Sequence, residues 1–220
     1  MKTLKFAVLL AALPLAAAAQ DPVKVDGGHY KLLVDNASVR VLKISYAPGA
    51  KSVMHSHPDA MLVPLGAAKV RFTLADGKTQ DMEVGKEIAA YTPAGTHDPT
   101  NVGTTPVDAI LVEFKAQTPG TATLPTSRPG MQVATIAESP RAVAIKTTAA
   151  PDFHEPAGSV HEYDQIVIAL GDAGMSLAVD GSAPVTKWQR GDVQFIGRGV
   201  KHESKNTSGK PVEFIIVAVK

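Results

Sequence analysis

Cysteine is absent from all 220 residues. That excludes disulfides and thiolate ligands and leaves any metal chemistry to histidine and carboxylate. Aromatic residues are scarce, 5% of the chain with one tryptophan, so burial rests on aliphatic side chains. Neither sign of charge dominates, with 22 Lys and Arg against 21 Asp and Glu. Lys2 and Lys5 lie in an N-terminal stretch that reads as removable, which leaves 20 basic residues against the same 21 acidic ones. A mature charge of about −1 gives no electrostatic case for nucleic acid or an anionic membrane. Long helix-period stretches are also missing after Gln20.

Residues 1–19 have the parts of a secretory signal: Lys2 and Lys5, the apolar run FAVLLAALPLAAAA, then Ala17 and Ala19 in a small-x-small cleavage pattern. The alternative is a membrane anchor, but the run is shorter than the roughly 20 apolar residues of a bilayer span. The expectation is a cleaved signal peptide, a periplasmic or secreted protein, and no membrane contact after cleavage.

From Gln20 onward, short β-like segments dominate. Ser38–Tyr46, Lys69–Leu74, Val107–Phe114, Arg141–Lys146 and Val212–Val219 mix β-branched and apolar residues, several with the period of half-buried strands. Asp76-Gly77, Pro93-Ala94-Gly95, Asp180-Gly181 and Ser208-Gly209 punctuate them as turns. The pattern predicts an all-β sandwich or barrel with little helix. Residues 116–140, rich in proline, threonine and glycine, read as a linker or crossing strand. An internal repeat sets the organisation: His97, Asn101, Pro106, Val107 and Lys115 match His202, Asn206, Pro211, Val212 and Lys220 at a constant offset of 105. One β-module occurs twice.

The chemistry gathers at GAKSVMHSHPDAMLVPLG, residues 49–66. His55 and His57 sit at i and i+2, so in a strand both leave the same face. His97 follows a Pro-x-Gly turn in PAGTHDPTN. Three imidazoles converging from two strands predict a divalent metal site. The alternative is a polar lining for a small-molecule pocket without metal.

On these residues both halves resemble cupin domains. Gly49, His55 and His57 match the first cupin motif; Gly85, Pro93, Gly95, His97 and Asn101 match the second. In the second half, Gly191, Gly199, His202 and Asn206 match motif two, with Gly197 where proline is usual; His161 and Gln165 match motif one, and Ser159 stands where its first histidine is expected. The resemblance implies two tandem double-stranded β-helix barrels of jelly-roll type, residues 20–115 and 141–220. It implies metal ligation by His55, His57 and His97, with a second, less complete set at His161, Gln165 and His202. The acidic ligand position of the first half falls on Ala60 or Met61. Asp59 can replace it only through a bulge. Zinc, copper, nickel, iron and manganese all suit such a shell.

Other candidates have plainer readings. His154 and Glu155 in DFHEPAGSVHEYD read as a solvated loop, although folding back would let them complete a shell; His29 reads as a surface residue. Asp164 and Glu162 read as exposed charge, Met54 and Met61 as core rather than soft ligands, Trp188 as packing over the second barrel, and Asn101 and Asn206 as turn caps. The expected function is an exported binder of a divalent metal or small ligand, working through the first barrel. The alternatives are a metal-dependent oxidoreductase of dioxygenase type, an isomerase or decarboxylase, or a structural module. Cupins often pair through their sheets, so a homodimer is a further expectation.

Overall fold

The computed structural model describes residues 20–85, 88–115 and 128–220. The expected signal segment, 1–19, and residues 116–127 of the expected linker lie outside them. A one-turn helix α1 (Pro22–Val25), capped by Asp21 with proline at its first position, precedes nine strands. These are β1 (Tyr30–Asp35), β2 (Val39–Tyr46), β3 (His55–His57), β4 (Ala60–Pro64), β5 (Ala68–Leu74), β6 (Thr79–Val84), β7 (Ala90–Thr92), β8 (Gly95–Asn101) and β9 (Val107–Phe114). Eight more follow: β10 (Met131–Glu138), β11 (Ala142–Ala149), β12 (His154–Ser159), β13 (Asp164–Ala169), β14 (Met175–Val179), β15 (Val193–Ile196), β16 (His202–Asn206) and β17 (Val212–Val219).

All pairing is antiparallel, and the repeat read from the sequence is a repeat of topology. The order β1-β2-β9-β4-β7 in the first half reappears as β10-β11-β17-β13-β15, and β3-β8-β5-β6 as β12-β16-β14 without its last strand. Each half is therefore a jelly-roll barrel of two sheets. Of the expected linker, the part from Met131 to Glu138 forms the edge strand β10, hydrogen-bonded along β11. Asp180 and Gly181 both have positive φ, 50° and 70°, as a two-residue type I′ hairpin turn requires.

The core has three layers. Leu42, Ile44 and Tyr46 of β2, Leu111 of β9 and Val70 of β5 fill the first barrel. Phe214 and Ile216 of β17, Leu177 of β14 and Trp188 fill the second. Between them, Val39, Val41, Met61, Val63, Ile110, Val112 and Phe114 pack against Ala142, Ala144, Ile166, Ile168, Ile215, Val217 and Val219. The larger sheet of each barrel thus buries both faces. This corrects the half-buried strand reading and explains the nearly continuous apolar runs in β9 and β17. Burying each valine, leucine or isoleucine contributes roughly 1.5–3 kcal/mol. Polar clasps flank this layer: Arg190 donates to Asp108 at 2.8 Å and to the Leu65 carbonyl, and Arg141 lies 3.8 Å from Asp59.

Candidate metal centre

In the second barrel, β12 and β16 pair Glu155 with Ser204 and Ser159 with His202, so Pro156, Ala157 and Gly158 all lie opposite Glu203 alone. Gly158 takes φ +89° within this bulge. The bulge brings Glu155 beside His202 on the inner face while the chain continues to His161. Glu155 Oε2 is 3.1 Å from His202 Nε2, and Oε1 is 3.2 Å from His161 Nε2. The two imidazole centroids are 4.8 Å apart. Among the described residues, this is the one set of three histidine, cysteine or acidic side chains whose ligand atoms all lie within 4.8 Å of one another.

These distances fit a shared cation. Ligand bonds of roughly 2.1 Å meeting at 90–109° place donor atoms about 3.0–3.4 Å apart. His202 Nδ1 is 3.3 Å from the Val200 carbonyl, which only accepts, so the proton sits on Nδ1. Its Nε2 lone pair then faces a carboxylate oxygen, an arrangement that needs a proton or a metal ion between them. His161 Nε2 is buried and makes no hydrogen bond despite its closeness to Oε1. Two imidazoles and one carboxylate suit zinc or a redox-active divalent metal with open positions.

Electrostatics hold Glu155 ionised. Burial alone raises its pKa, but His161, His202 and the Arg128 guanidinium outweigh that and bring it well below the usual carboxylate range. Burial likewise lowers His202, and the bond to Glu155 reverses this, leaving it raised. Ser204 Oγ donates to Glu155 Oε2 at 3.2 Å. Arg128 Nη1 is 3.9 Å from Oε1, and Nη2 reaches His161 Nδ1 at 3.5 Å and the Tyr163 hydroxyl. The cluster separates an apolar interior cavity of about 40 Å³, walled by Met131, Met175, Leu177, Trp188 and Gln165, from an outer cleft walled by Arg128, Phe153, Ser159 and His161.

Of the second-half residues expected from the sequence, His161 and His202 meet at Glu155, and Gln165 is buried in the wall of the cavity that Glu155 and His202 also line. Glu155, read as part of a solvated loop, is the correction; the signal for it was the Pro-Ala-Gly run that makes the bulge. His154 does stay outside, paired with Glu203 at 3.0 Å. Asp164, read as exposed charge, is instead buried, its carboxylate accepting from the Arg198 N–H at 2.7 Å.

The first barrel also brings its histidines together. His55 faces His97 across β3 and β8, and the His97 ring lies 5.2 Å from His55 and 5.0 Å from His57. Their nitrogens are differently committed. His55 Nδ1 donates to the Val53 carbonyl at 2.8 Å, so its Nε2 accepts from the Tyr30 hydroxyl at 2.9 Å. Burial, reinforced by the other two imidazoles, lowers the His97 pKa to about 3. Ala60 and Met61 are both fully buried, Met61 in the layer between barrels. Asp59 accepts from the Ala94 N–H at 2.9 Å and supplies no ligand. Asn101 and Asn206 bridge backbone groups of their turns.

No protein-family model and no curated protein matches the chain. Solved structures do. Salicylate 1,2-dioxygenase from Pseudaminobacter salicylatoxidans aligns over 86% of this chain and 76% of its own, with TM-score 0.64 and 9% identity. A single-substitution variant of the oxalate decarboxylase of B. subtilis aligns over 87% and 75%, with TM-score 0.54 and 14% identity. A cupin 2 conserved barrel domain protein from Leptotrichia buccalis aligns over 87% and 88%, with TM-score 0.57 and 10% identity. Likenesses at such identities carry the fold.

Proposed function

We propose that this chain, a tandem pair of cupin-fold barrels, is a metal-dependent enzyme for a small organic acid, with one divalent cation held by Glu155, His161 and His202. The observation that carries the reading is the Glu155 carboxylate set between two imidazole nitrogens at 3.1 and 3.2 Å. A cation there supplies Lewis acidity and open positions for substrate oxygen. The chain's own residues do the rest. The Val200 carbonyl fixes the tautomer of His202, and Ser204 orients Glu155. With Nε2 of His161 committed as a ligand, its proton moves to Nδ1, which no longer accepts from Arg128. The guanidinium, still held by the Tyr163 hydroxyl, lines the outer cleft, where it would pair with a substrate carboxylate. The apolar inner wall keeps bulk water from the reacting atoms. Two neighbours of the same fold are named for acids, salicylate and oxalate, which supports a dioxygenase or decarboxylase type of reaction.

A second reading keeps the cation on His55, His57 and His97, favoured by the close approach of their rings. Metal analysis separates the two. Loss of about one equivalent in Glu155→Gln and His202→Ala but not in His57→Ala supports the second barrel, and the opposite pattern supports the first. Unchanged content in all three removes both. Oxygen uptake and carbon dioxide release are then measured with hydroxybenzoates and dicarboxylates; a metal-loaded protein inert to every acid is a binder rather than an enzyme. Export is part of the proposal, on the composition of residues 1–19. A mature protein that begins at Met1 in a fractionated cell would remove it.

A further inference from the structure

Residues 20–25 form a short strap held against the first barrel. The Gln20 carbonyl accepts from the Ser56 N–H at 3.0 Å, and Pro22, the first residue of α1, lines the interior of the barrel. Asp21 works in two directions. Its Oδ1 caps α1 by accepting from the Val23 N–H at 3.0 Å and also accepts from Arg40 Nη2 at 2.5 Å. The other arm of the same guanidinium, Nη1, lies 3.3 Å from Oε2 of Glu113. Two carboxylates on different elements therefore draw on one cation, and that of the strap holds it more closely. Glu113 is buried, and its Oε1 has no hydrogen-bond partner. Such a group is costly to keep dry as an anion.

We infer that the strap is a cover over the interior of the first barrel whose latch, the Asp21–Arg40 pair, is released when Glu113 ionises. The charges around Glu113 fix the direction. β2 presents Arg40, the strap presents Asp21 with Lys24 beside it, and β1 presents Asp35, which is paired with Lys115; β4 places Ala60 opposite Glu113 and brings no charge. While Glu113 is neutral, Arg40 serves Asp21 and the strap stays down. Once ionised, Glu113 repels Asp21, competes for the guanidinium and gains water when the strap lifts. Burial raises the Glu113 pKa to about 7, opposed by Arg40 and reinforced by Asp21. A carboxyl raised in the closed state favours closure at acid pH, and that preference is lost as pH climbs from the open-state pKa to 7. The strap thus governs access to the space that Pro22 walls, independently of the metal centre in the second barrel.

The test is hydrogen exchange of backbone amides in the whole protein, with chelator present, across the acid-to-neutral range, each rate divided by its intrinsic value. The Val23 and Ser56 amides report the strap, and those of Ile110 and Val112 in the central strand β9 report global unfolding. The opening constant of the strap is expected to exceed that of β9, to rise about tenfold or more on going from acid pH to neutrality, and to level off beyond it. Glu113→Gln should keep the strap closed and abolish the rise. Asp21→Asn, which retains a capping oxygen, should open it even at acid pH. Strap amides that exchange no faster than those of β9, an opening that does not change with pH, a rise that survives in Glu113→Gln, or an Asp21→Asn strap as protected as that of the wild type would each overturn the inference.

Discussion

Glu155 and Lys51 sit one register step apart in two copies of one barrel: Glu155 pairs with Ser204 across β12 and β16, whereas Lys51 bridges Thr100, the counterpart of Lys205, whose partner is His154. Their surroundings differ by one residue. Ser204 is two residues from His202 and so shares its face, whereas Thr100 is three from His97 and does not. The Lys51 side chain is accordingly 58% exposed and paired with Asp98, and that of Glu155 is 17% exposed. Glu155→Gln is expected to weaken zinc binding by roughly 100-fold or more, since even an outer partner of a ligand is worth 10–100-fold. Lys51→Glu is expected to add no second equivalent. Competition titration against a chromophoric chelator reads both.

Zinc should stabilise the fold through the same centre. At a hundredfold excess over the dissociation constant, binding to the folded state alone contributes about 2.7 kcal/mol. The melting temperature should rise with zinc and fall back with chelator, and His202→Ala should abolish the shift. A shift that persists in His202→Ala places the ion elsewhere.

Glu113 gives the first barrel a pH-dependent stability. It follows Ala109 and Leu111 on the inner face of β9, is 2% exposed, and has one oxygen without a partner. Burial pushes its pKa up to about 7, with Arg40 opposing and Asp21 adding to the rise. A raised carboxyl stabilises the fold below its unfolded pKa, near 4.5, and that contribution is lost as pH climbs through 7. The full effect is on the order of 3 kcal/mol. Glu113→Gln should therefore match wild type near pH 4.5 and melt higher at pH 8. A difference that does not grow with pH would contradict the assignment.

The layer between barrels couples the two halves. Ile168→Ala removes a fully buried side chain from it and should cost about 2–5 kcal/mol. Calorimetry should show both barrels unfolding in one transition, for wild type and variant alike. Two separated transitions would mean that the layer is not a common core.

Much of this architecture is legible in the residues. The constant offset between His97 and His202 announces the duplicated module, Asp180-Gly181 its hairpin, and the His-x-His spacing places two rings on one face. What is hidden depends on strand register. Period two says which residues of β12 share a face only while the ladder is regular, and the bulge at Pro156–Gly158 breaks that count, so Glu155 reads as loop. In the first barrel the spacing of His55 and His57 shows that the rings converge, but not that Tyr30, twenty-five residues upstream, takes the His55 lone pair.

The layer shared by the two larger sheets bears on how such a chain can change over generations. Neither half is free to alter the outward shape of that sheet, because its counterpart is moulded against it. The inward shapes carry no such obligation. Duplicates tied together by their backs can therefore diverge in what they hold while remaining inseparable as a structure.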